Sequence, residues 1–196
     1  MAQLSTFTII SVDGFFAGPH GEIDWFKDND EEDRRFSQEH ADASAAFIFG
    51  RTTYELMSQF WPTPEAAKMD PVTAKALCTT PKIVFSKTMG PVEDGPVWKN
   101  VTVRRDIVRD EILRLKGEVE GPITILGSGS IVRQLANLGL IDEYGLMVVP
   151  VILGAGKYLF KDVNRMNLKL VETRAFRNGK VFLKYRPALD IFVQTL

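Results

Sequence analysis

Two stretches of this 196-residue chain combine glycine with hydroxyl or cationic side chains at the point where an apolar run gives way to a helical pattern. One follows the run 123–126 and the other follows the run 45–49; they are Gly127-Ser128-Gly129-Ser130-Ile131 and Gly50-Arg51-Thr52-Thr53. The free N–H groups and the dipole of a helix N-terminus attract phosphate, and arginine binds phosphate with parallel donors. Both stretches are therefore candidate phosphate sites. The alternative is that the glycines serve only tight strand-to-helix turns, since neither the full dinucleotide fingerprint nor a P-loop lysine is present.

A third candidate is Asp13, which follows the apolar, β-branched run 3–12. Open α/β sheets bind ligands at the carboxyl ends of their strands. Phe15 and Phe16 follow between glycines and resemble a flap over something apolar. A carboxyl in such surroundings would have its pKa raised by desolvation and could assist proton transfer. The alternatives are an Asx turn for Asp13 and a plain hairpin for the two phenylalanines.

The elements that must position these residues form an α/β pattern. Strand-like and helix-like runs alternate over the first two thirds of the chain, with helices predicted at 31–43, at 106–116 with Asp106 as its cap, and at 130–138. The proline-interrupted segment 61–81 is predicted to be a loop with short helical pieces around 72–77. The segments 168–176 and 181–185, joined through Asn178-Gly179, predict an antiparallel hairpin. We therefore expect a single domain, 1–196, with a largely parallel mixed sheet of about eight strands and an antiparallel C-terminal edge.

Composition excludes several classes of function. A net charge of -1 gives no electrostatic reason to expect nucleic acid or an anionic membrane as partner. One cysteine, Cys78, excludes a multi-cysteine zinc site, and the two histidines, His20 and His40, give no support for a metal. No apolar run approaches membrane-spanning length, and no signal-peptide pattern precedes the first strand. The expected location is the cytoplasm.

Several motifs, taken in order, resemble one family. They are 11–18 (SVDGFFAG), Asp24-Trp25, 50–55 (GRTTYE), 84–86 (VFS), 126–130 (LGSGS) and 149–156 (VPVILGAG). Together they resemble the dihydrofolate reductase superfamily, specifically the reductase domain of bacterial riboflavin biosynthesis and its stand-alone relatives. The resemblance covers nearly the whole chain and implies a three-layer dihydrofolate reductase-like fold.

The resemblance also implies NADPH as cofactor and assigns residues to it. Arg51, Thr52, Ser86 and Lys87 would hold the 2′-phosphate. The pyrophosphate would lie on Gly50, Thr53 and the turn Gly127, Ser128, Gly129, Ser130 and Ile131. Ala17 and Trp25 would lie near the nicotinamide, and the substrate would meet Asp13, Phe16 and Ile23. Relatives are often homodimers, and the apolar tail 188–193 would suit a subunit contact, unless it packs on its own domain.

Three departures from the family pattern matter. The ligands of the zinc deaminase that is often fused to the riboflavin enzyme are missing, which excludes deamination. Phe15 stands where biosynthetic reductases commonly carry a basic residue, which puts recognition of a ribose-phosphate substrate in doubt. The acid of the first helix in dihydrofolate reductases has no certain equivalent, with Asp30 or Asp33 near that place and Asp13 and Glu22 competing for the role.

The predicted function is therefore an NADPH-dependent reductase that transfers hydride to a small planar nitrogen heterocycle. The heterocycle would be of pterin or pyrimidine type, such as 5-amino-6-(5-phosphoribosylamino)uracil. The alternative is a catalytically inactive NADP(H)-binding module that acts as a sensor or scaffold. A plain interaction domain would leave both glycine junctions unexplained.

Overall fold

The computed structural model describes residues 1–26 and 30–188, and its centre is an eight-stranded sheet. The strands of this sheet are β1 (Leu4–Ser11), β3 (Ala46–Gly50), β4 (Lys82–Phe85), β5 (Val101–Arg104), β6 (Ile123–Gly127), β7 (Glu143–Val149), β9 (Leu168–Ala175) and β10 (Val181–Pro187). Their order is β5-β4-β3-β6-β1-β7-β10-β9. All neighbours are parallel except at β10, which is antiparallel to β7 and to β9. The predicted mixed sheet and its C-terminal hairpin are confirmed.

Two further strands, β2 (Phe15–Ala17) and β8 (Lys157–Tyr158), form a small separate sheet. The helices are α1 (Glu31–Asp42), α2 (Arg51–Phe60), α3 (Pro64–Met69), α4 (Pro71–Thr79), α5 (Arg109–Glu118) and α6 (Gly129–Asn137). Within the described ranges, none of these helices is long and apolar enough to cross a bilayer. All but the first residue of the apolar tail 188–193 lies outside the described residues.

The structure departs from two local predictions. The segment after Trp61, predicted as a loop with short helical pieces, folds into α3 and α4 because Thr63 and Asp70 each cap a helix whose first turn begins with proline. Asp106 does not cap α5: that helix begins after Val108, and the Asp106 carboxylate lies 3.9 Å from the ammonium of Lys87.

Helices cover both faces of the sheet and so make three layers. Successive side chains of a strand point to opposite faces. In β3, Ile48 belongs to a core cluster shared with α5 and α6, whereas Phe47 and Phe49 belong to a cluster shared with α2 and α4. Phe36 of α1 joins an aromatic cluster on β7 and β10, and α1 packs on α4. The central strands β3, β4, β6 and β7 are thus buried on both faces, whereas the edge strands β5 and β9 are largely exposed.

One buried charge holds the opposite end of β4. Lys82 is 1% exposed, and its Nζ donates hydrogen bonds to the backbone oxygens of Cys78, Thr80 and Lys99 at 3.2, 2.7 and 2.8 Å. The ammonium also lies 4.7 Å from the centroid of the Trp98 ring. Burial lowers the pKa of Lys82 from 10.5 to about 8.

This pKa predicts a stability that depends on alkaline pH. Between about pH 8 and 10.5 the unfolded chain binds the Lys82 proton more tightly than the folded chain does, so the free energy of unfolding rises with pH across that window. Lys82→Met should remove this rise, whatever it does to stability at neutral pH. Urea unfolding of both proteins at about pH 7.5 and about pH 9.5 measures it. Identical pH dependence in the two proteins would contradict the prediction.

Candidate functional site

The two glycine junctions predicted from the sequence touch each other. They follow β3 and β6, which are adjacent parallel strands. A Cβ atom on Gly50 would lie 2.5 Å from Ser128 Oγ and 3.0 Å from Ile131 Cγ1. A Cβ atom on Gly127 would lie 3.0 Å from Thr53 Oγ1. The absence of side chains at both glycines therefore lets the starts of α2 and α6 approach closely.

Both helices begin without a capping side chain. The residues that precede them, Gly50 and Ser128, make no side-chain hydrogen bond to the first turn, and Ser128 Oγ instead lies 2.8 Å from Ser130 Oγ. Aspartate or threonine side chains cap α1, α3 and α4, whereas α5, which Val108 precedes, also begins without one. Uncapped first-turn N–H groups require another acceptor. Two such helix ends side by side are well suited to an anion.

A cationic cluster continues from these junctions along the carboxyl ends of β3, β4 and β5. The guanidinium of Arg51 lies between two side chains: its Nε is 2.7 Å from Glu55 Oε1, and its Nη1 donates to Thr88 Oγ1 at 3.0 Å. Lys87 is exposed, and Nη2 of Arg105 donates a hydrogen bond to the backbone oxygen of Lys87 at 3.4 Å. Three cations, from Arg51, Lys87 and Arg105, thus face the same edge of the sheet.

The predicted residues of this cluster divide into donors and supports. Ser86 is buried, and its Oγ accepts hydrogen bonds from the backbone N–H groups of Thr88 and Met89 at 3.3 and 3.0 Å. Ser86 thereby shapes the turn that presents Lys87. Thr52 is exposed at the start of α2. Sequence reasoning missed Thr88 and Arg105. Arg105 directly follows β5, as Arg51 directly follows β3, and its position soon after the β-branched run 101–103 was the available signal.

The segment 14–22, which we term the flap, is not a free loop. Phe15–Ala17 pairs with Lys157–Tyr158, and the rings of Phe15 and Tyr158 stack with centroids 4.1 Å apart. Ala17 is buried. The ring of Phe16 lies directly on the glycine turn, since a Cβ atom on Gly129 would be 2.5 Å from Phe16 Cε1. Phe16, expected at the substrate, therefore contacts the turn that was assigned to the cofactor.

The other two predicted residues of this region lie just after the flap. Trp25 is half-buried, donates from its indole N–H to the backbone oxygen of Glu22 at 3.2 Å, and meets Phe26 edge to face. Ile23 is 43% exposed. Both are therefore presented at the surface, one of them held by the end of the flap.

Asp13 has a different environment from the one predicted. Its carboxylate accepts hydrogen bonds from Ser11 Oγ at 2.6 Å and from the backbone N–H groups of Leu153 and Gly154 at 3.2 and 2.8 Å. These bonds, that from Ser11 first, hold the pKa of Asp13 below its ordinary value of 3.8. The predicted rise in pKa is wrong, because backbone donors from a distant loop surround the carboxylate. Asp13 links the end of β1 to the loop after β7.

We expect Asp13→Asn to weaken this link in a pH-dependent way. Because the folded-state pKa is depressed, the carboxylate stabilises the fold above its unfolded-state pKa and loses that contribution as pH falls through the folded-state pKa. The melting temperature should therefore be lower in the variant at about pH 7, and the difference should shrink toward about pH 3. Asp24→Asn, at an exposed position, is the control. A constant difference at both pH values would contradict the assignment.

The other three candidates for the acid of the first helix, Glu22, Asp30 and Asp33, also stabilise local structure. Glu22 Oε2 accepts from the His20 N–H at 2.9 Å, and bonds from its own backbone N–H and from that of His20 lower the pKa of Glu22. Asp30 caps α1. Asp33 is 1% exposed, lies 2.5 Å from the ammonium of Lys180, and accepts from the Asn178 amide at 2.7 Å. Each of these carboxylates is already committed to a partner within the chain.

The three-layer arrangement around an eight-stranded mixed sheet is the fold of dihydrofolate reductase-like proteins. Residues 2–182 match the model of the RibD C-terminal domain family, so the chain belongs to that family. It is 33% identical to the uncharacterized protein YyaP of Bacillus subtilis over 178 residues, which are 90% of each chain.

Solved structures share the fold. A protein from Shewanella sp. PV-4 assigned to riboflavin biosynthesis superposes with a TM-score of 0.74 at 21% identity. The superposition covers 96% of this chain and 100% of the Shewanella chain. Dihydrofolate reductase from Enterococcus faecalis, solved with NADP(H) and RAB-propyl, has a TM-score of 0.63 at 18% identity, covering 95% and 97%. At these identities the likeness concerns the fold alone.

Proposed function

We propose that this protein is an NADPH-dependent reductase that acts on a small planar nitrogen heterocycle. The observation that carries the proposal is that two uncapped helix starts and the cations of Arg51, Lys87 and Arg105 lie along one edge of the sheet, an arrangement suited to anions. An extended ligand with a pyrophosphate and a separate phosphate matches that charge distribution. The neighbour from Enterococcus faecalis, which holds NADP(H) on the same fold, supports this choice of ligand.

Different residues would bind the different parts of the cofactor. The pyrophosphate would lie on the N–H groups after Gly50 and in the turn 127–131, where the two glycines permit close approach. The 2′-phosphate would lie against Arg51 and Lys87, with Arg105 as an additional donor. The nicotinamide supplies the hydride, and the protein supplies orientation and charge. Ala17, fixed by the pairing of β2 with β8, would border the nicotinamide end.

The residues near the flap favour a flat, uncharged ring as substrate. Phe15, which replaces a basic residue of the biosynthetic enzymes, is buried against Tyr158 and offers no charge for a ribose phosphate. A pterin or an aminopyrimidine fits these surroundings, and 5-amino-6-(5-phosphoribosylamino)uracil is the phosphorylated member to compare. Because hydrogen bonds lower the pKa of Asp13 and keep it ionised at neutral pH, we assign it to positioning the flap and propose that a water molecule donates the proton that accompanies the hydride.

Titration and turnover test the proposal in sequence. NADPH and NADH are first titrated calorimetrically against the protein, and tighter binding of NADPH is expected. NADPH oxidation is then followed with dihydropterins and aminopyrimidines, each with and without a ribose phosphate. Binding with turnover supports the reductase, and binding without turnover across the panel favours an NADP(H)-binding module. A protein that binds neither dinucleotide would contradict both.

We further propose that the protein assembles as a homodimer through the β9 edge of its sheet. Leu168, Leu170 and Val171 are exposed there by 38%, 47% and 44%, and the unpaired N–H and C=O groups of an edge strand can pair with another chain. Light scattering of the full chain and of Leu170→Lys measures the assembly. A monomeric wild-type protein would contradict this proposal.

A further inference from the structure

We propose that Glu55 and Thr88 are positioning residues that hold the Arg51 guanidinium in the orientation needed to bind a phosphate monoester. The proposal rests on the NADPH site proposed above, because it concerns the arginine of that site. It adds two residues from different elements, one on α2 and one after β4, whose effect on ligand binding passes entirely through Arg51.

The geometry places one support on each side of the guanidinium. Glu55 engages Nε from one turn along the same helix, and Thr88 engages Nη1 from the loop after β4. Thr88 is itself anchored, since its backbone N–H donates to the buried Ser86 at 3.3 Å. Because an arginine carries further N–H donors on Nη1 and Nη2, the far edge of the planar group stays available for a ligand.

The contacts contribute little to the stability of the fold. The Arg51 and Glu55 side chains are 49% and 44% exposed, and exposed helix pairs at this spacing have only a small effect on stability. Their effect on a ligand is different. A free arginine side chain must lose its rotamer freedom when a phosphate binds, whereas one already held by two partners has lost most of it. The arrangement therefore favours recognition of the phosphate over stability.

The charge of Glu55 acts in the opposite direction, because a carboxylate near a bound phosphate repels it. Two replacements separate these effects. Glu55→Gln removes the charge and keeps an oxygen that accepts from Nε, whereas Glu55→Ala removes both. The difference between the two variants isolates positioning. Thr88→Ser and Thr88→Val make the corresponding pair, with and without the hydroxyl acceptor.

The probes are 2′,5′-ADP and 5′-AMP, titrated calorimetrically against the full chain. Relative to Glu55→Gln, Glu55→Ala should bind 2′,5′-ADP roughly threefold to tenfold more weakly, the range expected for the ordering of one long side chain. Thr88→Val should likewise bind 2′,5′-ADP more weakly than Thr88→Ser does. Binding of 5′-AMP, which lacks the 2′-phosphate, should be the same in all four. Gln59→Ala, exposed one turn further along α2, is the control for helix perturbation and should match wild type.

The outcomes distinguish this inference from the proposed function. If wild type binds 2′,5′-ADP no better than 5′-AMP, the phosphate site fails and the inference fails with it. If wild type prefers 2′,5′-ADP but the members of each variant pair bind it equally, the site stands and the positioning role is wrong. A loss shared equally by both probes would show a merely structural effect and would also overturn the inference.

Discussion

Gly127→Val is expected to weaken the binding of NADPH and NADH together, by more than tenfold. The backbone of Gly127 has a φ of +128°, a conformation that β-branched residues rarely adopt, and its Cβ position lies 3.0 Å from Thr53 Oγ1. A valine there strains the turn and pushes against the start of α2. Both helix starts that face the pyrophosphate are therefore displaced, and the pyrophosphate is common to the two dinucleotides.

Strain at such a position costs of order 1–3 kcal/mol, so folding must be measured beside binding. Calorimetric titration of both dinucleotides is combined with circular dichroism and thermal melting. Gly90→Val is the control, because no atom lies within 4 Å of its Cβ position. Unchanged binding by a folded Gly127→Val protein would show that this turn serves backbone geometry only.

Arg51→Ala is expected to weaken NADPH binding by about 1.5–3 kcal/mol, which is about tenfold to 150-fold, the usual effect of losing a hydrogen bond to a charged group. NADH binding should change little, because NADH has no 2′-phosphate. The loss of NADPH binding is expected because the remaining N–H groups of Arg51 lie beside Lys87 and Arg105, where the 2′-phosphate would bind.

The matched control for this variant lies on another helix. Arg35→Ala removes an exposed ion pair of the same type as Arg51–Glu55, that of Arg35 with Glu31 at 2.8 Å, which lies on α1 and not at the proposed site. It should leave both dinucleotides bound as in wild type. If Arg51→Ala weakened NADPH and NADH binding equally, Arg51 would contact a part of the ligand that both cofactors share and not the 2′-phosphate.

Local patterns in the sequence were sufficient to predict the mixed α/β sheet and the two glycine junctions. Apolar runs that end in glycine predicted β3 and β6 together with the helices that follow, and Asn178-Gly179 predicted the C-terminal hairpin. These features follow from side-chain periodicity and from backbone conformations open to glycine, which depend on neighbours in the chain. The errors at Asp106 and after Trp61 concern helix boundaries, since Thr63 and Asp70 cap α3 and α4, whereas α5 begins after Val108 without a side-chain cap.

The environments of the charged groups depended on tertiary structure. The pKa of Asp13 is lowered by the nearby Ser11 hydroxyl first, but also by backbone donors 140 and 141 residues away, and the buried Asp33 is paired with Lys180 of the hairpin turn. Thr88 and Arg105 join Arg51 only because β3, β4 and β5 are neighbours in the sheet. The sequence by itself thus determined which segments form strands, helices and glycine turns. Only the tertiary structure decided which carboxylates are bonded and which cations share an edge, because solvation and hydrogen bonding depend on residues far apart in the chain.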